Sequence, residues 1–387
     1  MLAPVWTILQ DPSTGIAPLV YPLPASTDAV PPAVKVIVTP FKWLLGFVRT
    51  LLVVLLILAH WLLVELLMTT LRIVPPLHSI LTRILSALIC RTVLFLLGLA
   101  WISTETVSLR RTGRSPPSVP FTPRAGDLIV ANSSSYVDVL YLAFRYALYP
   151  PRAYSYSHCD TILTPMNLNV RYNPYFLLPC SSLGSKASSS SPSLITSYRV
   201  VSLTTALLSS GKLPERSERG MTLEEAVSNT NRPLVWFPEA TTSNNRALLK
   251  LGELVPPKTT GGATKAFRLF LLSFNTKPKS HTSSRYPLPT RLVPSATYPI
   301  PDSTPLPHLF SLTSTPFTTT LHIRRLHPSE SPSLSSTPRK EEMEVLAEML
   351  ASTGRWKRVK AIDWEMKDGF LKLKSSSVGG IGKAKKR

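Results

Sequence analysis

The sequence predicts an α/β protein in which a mixed sheet is flanked by helices and an N-terminal hydrophobic helical hairpin is set against it. Apolar residues run from Phe41 to Met68 with few interruptions, longer than an ordinary core helix requires. Two short apolar segments, DLIVAN from Asp127 and LVWF from Leu234, each run into a polar turn, as strands do. The segment from Val137 then has helical spacing of its apolar residues.

The hydrophobic region predicts membrane attachment. Residues 50–64 carry no formal charge, and a helix through them is long enough to cross about 30 Å of hydrocarbon. A second apolar segment follows Pro75 but contains Arg83 and Arg91, which suits a helix in the interface or one leaflet. A buried hairpin of a soluble protein is the alternative. Because forty residues precede it, the region does not have the pattern of a cleavable signal peptide.

Composition divides the chain into four parts. Residues 1–40 are a Pro-rich segment, 41–104 the membrane-anchoring helices, 105–335 an α/β domain with loose Ser/Pro-rich loops, and 336–387 a C-terminal helix and basic tail. The helix is expected over 339–351. Residues 355–387 hold 11 basic and 3 acidic residues. They predict a solvated tail or, beside a membrane anchor, a contact with anionic lipid worth about 1 kcal/mol per basic residue.

Within the α/β domain, the pattern predicts strands at 234–237, 292–293 and from Leu321, besides the strand that ends near Asn132. Residues 181–193 are expected to be a low-complexity loop, followed by a helical segment to Leu213. Residues 276–290 and 300–320 are expected to be loops.

The net charge of +21 and pI near 10.1 indicate an anionic partner: nucleic acid, a phosphate-bearing small molecule or an anionic membrane surface. Nucleic acid is disfavoured because the chain has no RRM, OB-type, zinc or helix-turn-helix signature, and the apolar region would have no role. The cysteines, Cys90, Cys159 and Cys180, form no C-x-x-C pair. Neither a disulfide framework nor a metal site is therefore expected, and reduced thiols fit a cytosol-facing protein.

The stretch VWFPEATTSNNR, residues 235–246, places a carboxylate, turn residues and a guanidinium after a strand, which is a plausible setting for a phosphate group. It resembles the FPEGTxSNGR block of the glycerophospholipid acyltransferases. The matching residues are Phe237, Pro238, Glu239, Thr241, Ser243, Asn244 and Arg246. Ala240 replaces the family's glycine, and if that position has positive φ the alanine costs about 1 kcal/mol.

The stretch ANSSSYVD, from Ala131, is similar to the family's N-H-x-x-x-x-D block, with Asn132 and Asp138 at its ends. In that family the histidine is the general base for the acceptor hydroxyl, and the aspartate orients the imidazole. Ser133 stands at the histidine position, and a serine hydroxyl does not accept protons near neutral pH. Loss of a positioned base lowers a rate by about 10²- to 10⁴-fold.

Three hypotheses remain for the missing histidine. Asp138 acts directly or through a water, His158 supplies the base, or the protein is inactive. A variant layout, N-x-x-S-x-x-D, is typical of the fungal lysophosphatidic acid acyltransferases of the endoplasmic reticulum and lipid droplets, and Asn132, Ser135 and Asp138 fit it. The segment STGIAP, from Ser13, and the basic C-terminus are also similar to that subgroup, which favours the first hypothesis.

The resemblance implies a glycerolipid acyltransferase-like fold and transfer of a fatty acyl group from acyl-CoA to lysophosphatidic acid or a related lysophospholipid. No cofactor is expected beyond acyl-CoA as co-substrate, since attack on a thioester needs a base and oxyanion stabilisation. The membrane is the other expected partner, at the endoplasmic reticulum or lipid droplet, with the catalytic domain facing the cytosol. The alternative is a catalytically silent lipid-binding or trafficking scaffold.

The residues carried over from the resemblance fall into two groups. The catalytic candidates are Asp138, Ser133 and Ser135; the substrate-binding candidates are Asn132, Phe237, Pro238, Glu239, Thr241, Asn244 and Arg246. Val293 and Pro294 are similar to a later family block. Arg199 is a candidate for the arginine that contacts the acceptor phosphate, although a lone arginine before an apolar segment is more often structural.

Overall fold

A computed structural model describes residues 10–21, 32–66, 75–110, 119–124, 126–147, 175–181, 195–216, 220–230, 233–254, 266–278, 296–301, 304–314, 319–335 and 338–384. The helices are α1 Pro32–His60, α2 Pro75–Leu96, α3 Tyr136–Ala147, α4 Leu203–Ser209, α5 Leu223–Ser228, α6 Leu306–Thr313, α7 Lys340–Gly354 and α8 Trp364–Ala384. The strands are β1 Ile102–Val107, β2 Leu128–Ala131, β3 Tyr175–Ser181, β4 Ile195–Val201, β5 Glu215–Arg216, β6 Leu234–Trp236, β7 Ala247–Leu248, β8 Ala266–Pro278, β9 Thr319–Leu326, β10 Ser333–Ser335 and β11 Lys357–Arg358.

The strands form a mixed sheet in the order β1-β9-β8-β2-β6-β3-β4, as the sequence predicts for the class. Its centre is parallel: β2 pairs with β8 on one side and β6 on the other, and β6 pairs with β3. The outer pairs β8/β9 and β3/β4 are antiparallel. The strands β2 and β6 are short and buried on both faces, which explains their continuous apolar sequences.

Each face of the sheet has its own apolar core. Ile129 and Val235 contribute to the core under α2, α3, α4 and α6, whereas their strand neighbours Leu128 and Leu234 contribute to the core under α5 and α7. This alternation follows from the two-residue period of a strand. The helix predicted at 339–351 is α7, and Met343, Leu346 and Leu350 form its buried apolar stripe.

The hydrophobic region forms the predicted helices, although α1 begins before Phe41, at Pro32. Thr39–Val64 is long and apolar enough to cross a membrane, and only 11% of it is buried in the protein. Phe41, Leu44 and Phe47 are each more than 60% exposed. The buried bond between His60 Nε2 and Ser86 Oγ, 3.2 Å long, joins the end of α1 to α2. The region is therefore a packed helix pair with an apolar outer surface.

Four local predictions were wrong. Residues 195–201 form β4 rather than a helix, because pairing with β3 satisfies their backbone and their β-branched residues suit a strand; only α4 in that segment is helical. The loop expected over 300–320 contains α6, and residues 276–278 end β8. The tail expected to be solvated instead adds β11 to β7 and continues into α8.

Several sequence features lie outside the described residues. These are His158, Cys159, the strand expected at 292–293 with Val293 and Pro294, and nearly all of the 181–193 loop.

Candidate functional site

The two motifs meet because of the sheet topology. The strands β2 and β6 are adjacent and parallel, so the segments that follow them leave the same edge of the sheet. The Ser133 N–H donates to Glu239 Oε2 at 2.8 Å, and the Ser133 carbonyl accepts from Ser243 N–H at 3.0 Å. The motifs, 106 residues apart in sequence, thus form one hydrogen-bonded unit.

Asp138 lies in the first turn of α3 and is completely buried. Its Oδ2 accepts from the Ser134 N–H and hydroxyl, both at 2.7 Å, and from the Ser135 N–H at 3.1 Å. Its Oδ1 is buried without a hydrogen-bond partner. Burial raises the pKa of Asp138 to about 6, while the three hydrogen bonds act in the opposite direction. The hydroxyl that contacts this carboxylate therefore belongs to Ser134, not to Ser133 or Ser135.

Ser135 has a second, local role. Its hydroxyl accepts the N–H of Val137 at 3.1 Å, so it helps to hold the start of α3. The Ser134 carbonyl accepts the N–H of Tyr298 at 2.8 Å, which ties the turn to the segment before α6. Ser134 and Ser135 thus both donate to Asp138, whereas Ser133 donates to Glu239 of the second motif.

Glu239 is also completely buried, and each of its oxygens accepts a backbone N–H: Oε2 from Ser133 and Oε1 from Leu249 at 3.0 Å. Burial raises the pKa of Glu239 to about 7; the two N–H groups lower it, the charge of Asp138 raises it and that of Lys367 lowers it. Because both oxygens are engaged, Glu239 connects the two motifs and the strand pair that follows.

Lys367, in α8, inserts its amine beneath the second motif. Its Nζ lies 2.7 Å from Thr241 Oγ1, 2.9 Å from the Thr242 carbonyl and 3.1 Å from Thr242 Oγ1. Burial lowers the pKa of Lys367 to about 7, and the charge of Glu239 acts against this effect. A buried lysine with three oxygen neighbours is thus part of the site.

Residues from both motifs line one pocket. Ser133, Phe237, Ala240 and Thr241 border it, and Val139 of α3 contributes part of its apolar wall. The cavity has a volume of about 60 Å³. It has room for a small polar group but not for an acyl chain, which would have to extend outside it.

Two cations border the same pocket: Arg199 of β4, which is half-buried, and the exposed Lys212 after α4. Their position gives the pocket a positive rim. In the part of the chain that is described, no cluster of three or more His, Cys, Asp or Glu side chains is placed to hold a metal ion.

Other predicted residues lie outside the pocket lining. Asn132 pairs with the backbone of Phe274, accepting its N–H at 2.7 Å and donating to its carbonyl at 3.2 Å. The Pro238 carbonyl accepts the Gly252 N–H. Arg246 is exposed and does not border the pocket. Asn132 and Pro238 therefore shape the frame of the site.

Asn244 holds the N-terminal segment against the second motif. Its Nδ2 donates to the carbonyls of Ala17 and Val20, both at 2.8 Å, and its N–H donates to the Pro18 carbonyl. Residues 10–21, which contain STGIAP, are thus bound directly to the site rather than lying apart from it.

The backbone of the second motif requires positive φ at two positions. Ala240 has φ of 55° and Asn245 has φ of 64°. Asparagine tolerates this region, whereas alanine is strained there by about 1 kcal/mol or more. Glycine, which stands at this position in the motif that the stretch resembles, would not be strained. The departure from the family pattern therefore has a definite backbone consequence.

Lys367 is the residue that reasoning from sequence missed, because it was counted with a basic tail. The signal was present: Trp364, Lys367 and Phe370 are three residues apart and share one helical stripe with apolar neighbours. A lysine on the apolar stripe of a helix is expected to be buried or to extend along it. Ser134 had no comparable signal, because it is the middle one of three consecutive serines.

No protein-family model, curated protein or solved structure matches this chain significantly.

Proposed function

We propose that the chain is a membrane-bound acyltransferase that transfers a fatty acyl group from acyl-CoA to lysophosphatidic acid or a related lysophospholipid in glycerolipid synthesis. It acts at the endoplasmic reticulum membrane or lipid droplet, with its α/β domain on the cytosolic side. One observation carries the proposal: Ser133 of the first motif, Phe237 and Thr241 of the second, and Arg199 border a single pocket. The apolar helix α1 in the same chain supports a lipid substrate.

The charges support an anionic substrate. Arg199 and Lys212 border the pocket, and lysophosphatidate and CoA both carry phosphate groups. A guanidinium holds a phosphate through paired hydrogen bonds, which would fix the acceptor with its free hydroxyl toward Ser133 and Thr241. The net charge of +21 adds a long-range attraction to anionic substrates and to the leaflet.

The apolar helices support delivery of the lipid. The helix pair α1/α2 packs on the same face of the sheet as α3, whose Val139 borders the pocket. With α1 in the bilayer, the acyl chains remain at the membrane while the polar head occupies the small cavity. The acceptor hydroxyl then attacks the thioester carbonyl carbon, the C–S bond breaks, and CoA leaves as the thiol.

The test is acyl transfer by the full-length chain in liposomes, with oleoyl-CoA and lysophosphatidate, followed as CoA release and phosphatidate formation. Arg199→Gln is expected to raise KM for lysophosphatidate about tenfold, because a charged hydrogen bond contributes about 1.5 kcal/mol or more. Arg246→Gln is the matched control, since Arg246 is exposed outside the pocket. Asp138→Ala and Glu239→Ala are expected to lower turnover. No turnover by the wild type, or equal turnover in all variants, contradicts the proposal.

A second candidate, a catalytically silent lipid-binding scaffold, is favoured by the position of Asp138. Its carboxylate is held by the backbone of its own turn, it does not border the pocket, and Ser133 provides no base. Binding of lysophosphatidate to the wild type, weakened by Arg199→Gln, without any acyl transfer, is the result that selects this candidate.

A further inference from the structure

We infer that Thr241 and Lys367 form a proton relay that takes the place of the absent histidine, with the Thr241 hydroxyl in the pocket as the catalytic group and the Lys367 amine as the proton store behind it. The inference rests on the proposed acyl transfer and names the groups that move its proton. Thr241 borders the pocket, and its Oγ1 lies 2.7 Å from Lys367 Nζ.

The three oxygen neighbours of Nζ accommodate a neutral amine as well as an ammonium. The Thr242 carbonyl can only accept, and the Thr242 hydroxyl already donates to the Tyr298 carbonyl at 2.5 Å, so it also accepts from Nζ. These two contacts use the two N–H groups of a neutral amine. The third neighbour, Thr241 Oγ1, can then donate its proton to the nitrogen lone pair. As an ammonium, Lys367 would instead donate to all three oxygens.

The surroundings make the neutral and charged states of Lys367 comparable in free energy near neutral pH. Burial lowers the pKa of Lys367 to about 7. The charged group that acts on Lys367 from the loop after β6 is Glu239, which favours the ammonium, and Asp138 of α3 acts in turn on Glu239. From the segment before α6, Tyr298 presents its carbonyl to Thr242. An amine that is half neutral near pH 7 matches the requirement for a general base.

The proton balance of the step is complete within the relay. As the acceptor oxygen bonds to the thioester carbonyl carbon, its proton passes to Thr241 Oγ1 while the Thr241 proton passes to Lys367 Nζ. When the C–S bond breaks, the leaving thiolate takes a proton from Thr241, and Lys367 returns its proton to Thr241. Thr241 and Lys367 thus return to their starting protonation states, and the proton of the acceptor hydroxyl has moved to CoA.

The experiment uses the full-length chain in liposomes with oleoyl-CoA and lysophosphatidate. Thr241→Val is expected to lower kcat by about 10²- to 10⁴-fold, and Thr241→Ser to stay within about tenfold of the wild type. Lys367→Met is expected to lose activity to the same extent. Lys367→Arg keeps a cation but cannot accept a proton at these pH values, so it is expected not to restore turnover.

The pH profile separates a relay from a structural contact. Wild-type kcat/KM is expected to rise with pH through about 7 as Lys367 loses its proton; this limb is expected to be missing in Lys367→Met. If that variant does not fold, Thr241→Val leaves Lys367 and its contacts to Thr242 in place and still tests the relay. An active wild type with unchanged kcat in Thr241→Val, or full activity in Lys367→Arg, overturns the relay alone. A wild type without turnover overturns the relay and the proposed function together.

Discussion

Replacing Asp138 by asparagine is expected to make the protein more stable relative to the wild type as the pH rises. The side chain is completely buried, and burial raises its pKa from 3.8 to about 6. Each pKa unit corresponds to about 1.36 kcal/mol, so the folded chain ionises Asp138 at a cost of about 3 kcal/mol more than the unfolded chain does. In Asp138→Asn, the new amide oxygen would take the Oδ2 position, where the Ser134 and Ser135 donors lie, without the charge.

The sign follows from proton linkage. Well below the unfolded-state pKa of 3.8, Asp138 is protonated in both states and its burial has no ionisation cost. Between about pH 4 and 6 the unfolded chain loses this proton while the folded chain keeps it, so wild-type stability falls as pH rises and then levels off. Asp138→Asn lacks this decrease. The difference in free energy of unfolding between variant and wild type is therefore expected to shift by up to about 3 kcal/mol in favour of the variant between about pH 4 and pH 7.5.

The assay is urea unfolding in detergent micelles, followed by tryptophan fluorescence, at about pH 4 and pH 7.5. Asp368→Asn is the control, because Asp368 forms a solvent-exposed ion pair with Lys372, which is worth about 0–1 kcal/mol at either pH. The same variant-to-wild-type difference at both pH values would refute the assignment of a buried, destabilised carboxylate at Asp138. Acyl transfer by the same variant then reports separately whether the charge is needed for activity.

Three further outcomes follow from the geometry. Ala240→Val is expected to lower the free energy of unfolding by about 2 kcal/mol or more, because a β-branched residue is strongly disfavoured at positive φ. Ala240→Gly is expected to stay within about 1 kcal/mol of the wild type, and equal effects of the two substitutions in urea unfolding contradict this prediction. Asn244→Ala removes two side-chain hydrogen bonds to residues 10–21 and is expected to lower the free energy of unfolding by about 1–3 kcal/mol. The segment is then expected to become accessible to limited proteolysis, and an unchanged digestion pattern argues against its binding by Asn244. Leu44→Ser combined with Phe47→Ser is expected to weaken partition into liposomes measured by flotation, since each buried side chain contributes about 1.5–3 kcal/mol; unchanged flotation contradicts a membrane role for this surface.

The sequence was informative where local pattern and burial agree. The strands β2 and β6 and the apolar stripe of α7 are buried as their patterns predict, and the long apolar run of α1 forms a helix long enough to cross a membrane, so these elements were predicted correctly. The segment that forms β4 was predicted as a helix because the spacing of its own residues does not show that it pairs with β3, the strand that precedes it in the chain. Pairing of this kind is decided by tertiary context rather than by local propensity.

The candidate site was partly predictable because its two motifs each follow a strand that the sequence predicts. Asp138 and Glu239 each follow a buried strand, and parallel pairing of β2 and β6 brings the two turns together without any information beyond strand order. The third partner comes from α8, near the C-terminus, and reaches Thr241 across 126 residues of sequence. No local motif encodes that contact, so the sequence alone does not place the Lys367 amine beside Thr241.

The two motifs and Lys367 show how a pocket whose described lining contains no histidine retains a titratable group. Asp138 and Glu239 are buried carboxylates whose oxygens are largely occupied by backbone and hydroxyl donors, so their hydrogen bonds mainly fix the shape of the turns. Lys367 differs because one of its neighbours, Thr241, borders the pocket and can exchange a proton with a bound substrate. Among these three buried groups, the amine is therefore the one with a hydroxyl path to the pocket.

If the chain transfers acyl groups, a requirement for neutral Lys367 would make turnover increase with pH through about 7, whereas a base at Asp138 would place the rise in turnover near pH 6. The loss of that rise in Lys367→Met, rather than its position alone, assigns the base to Lys367.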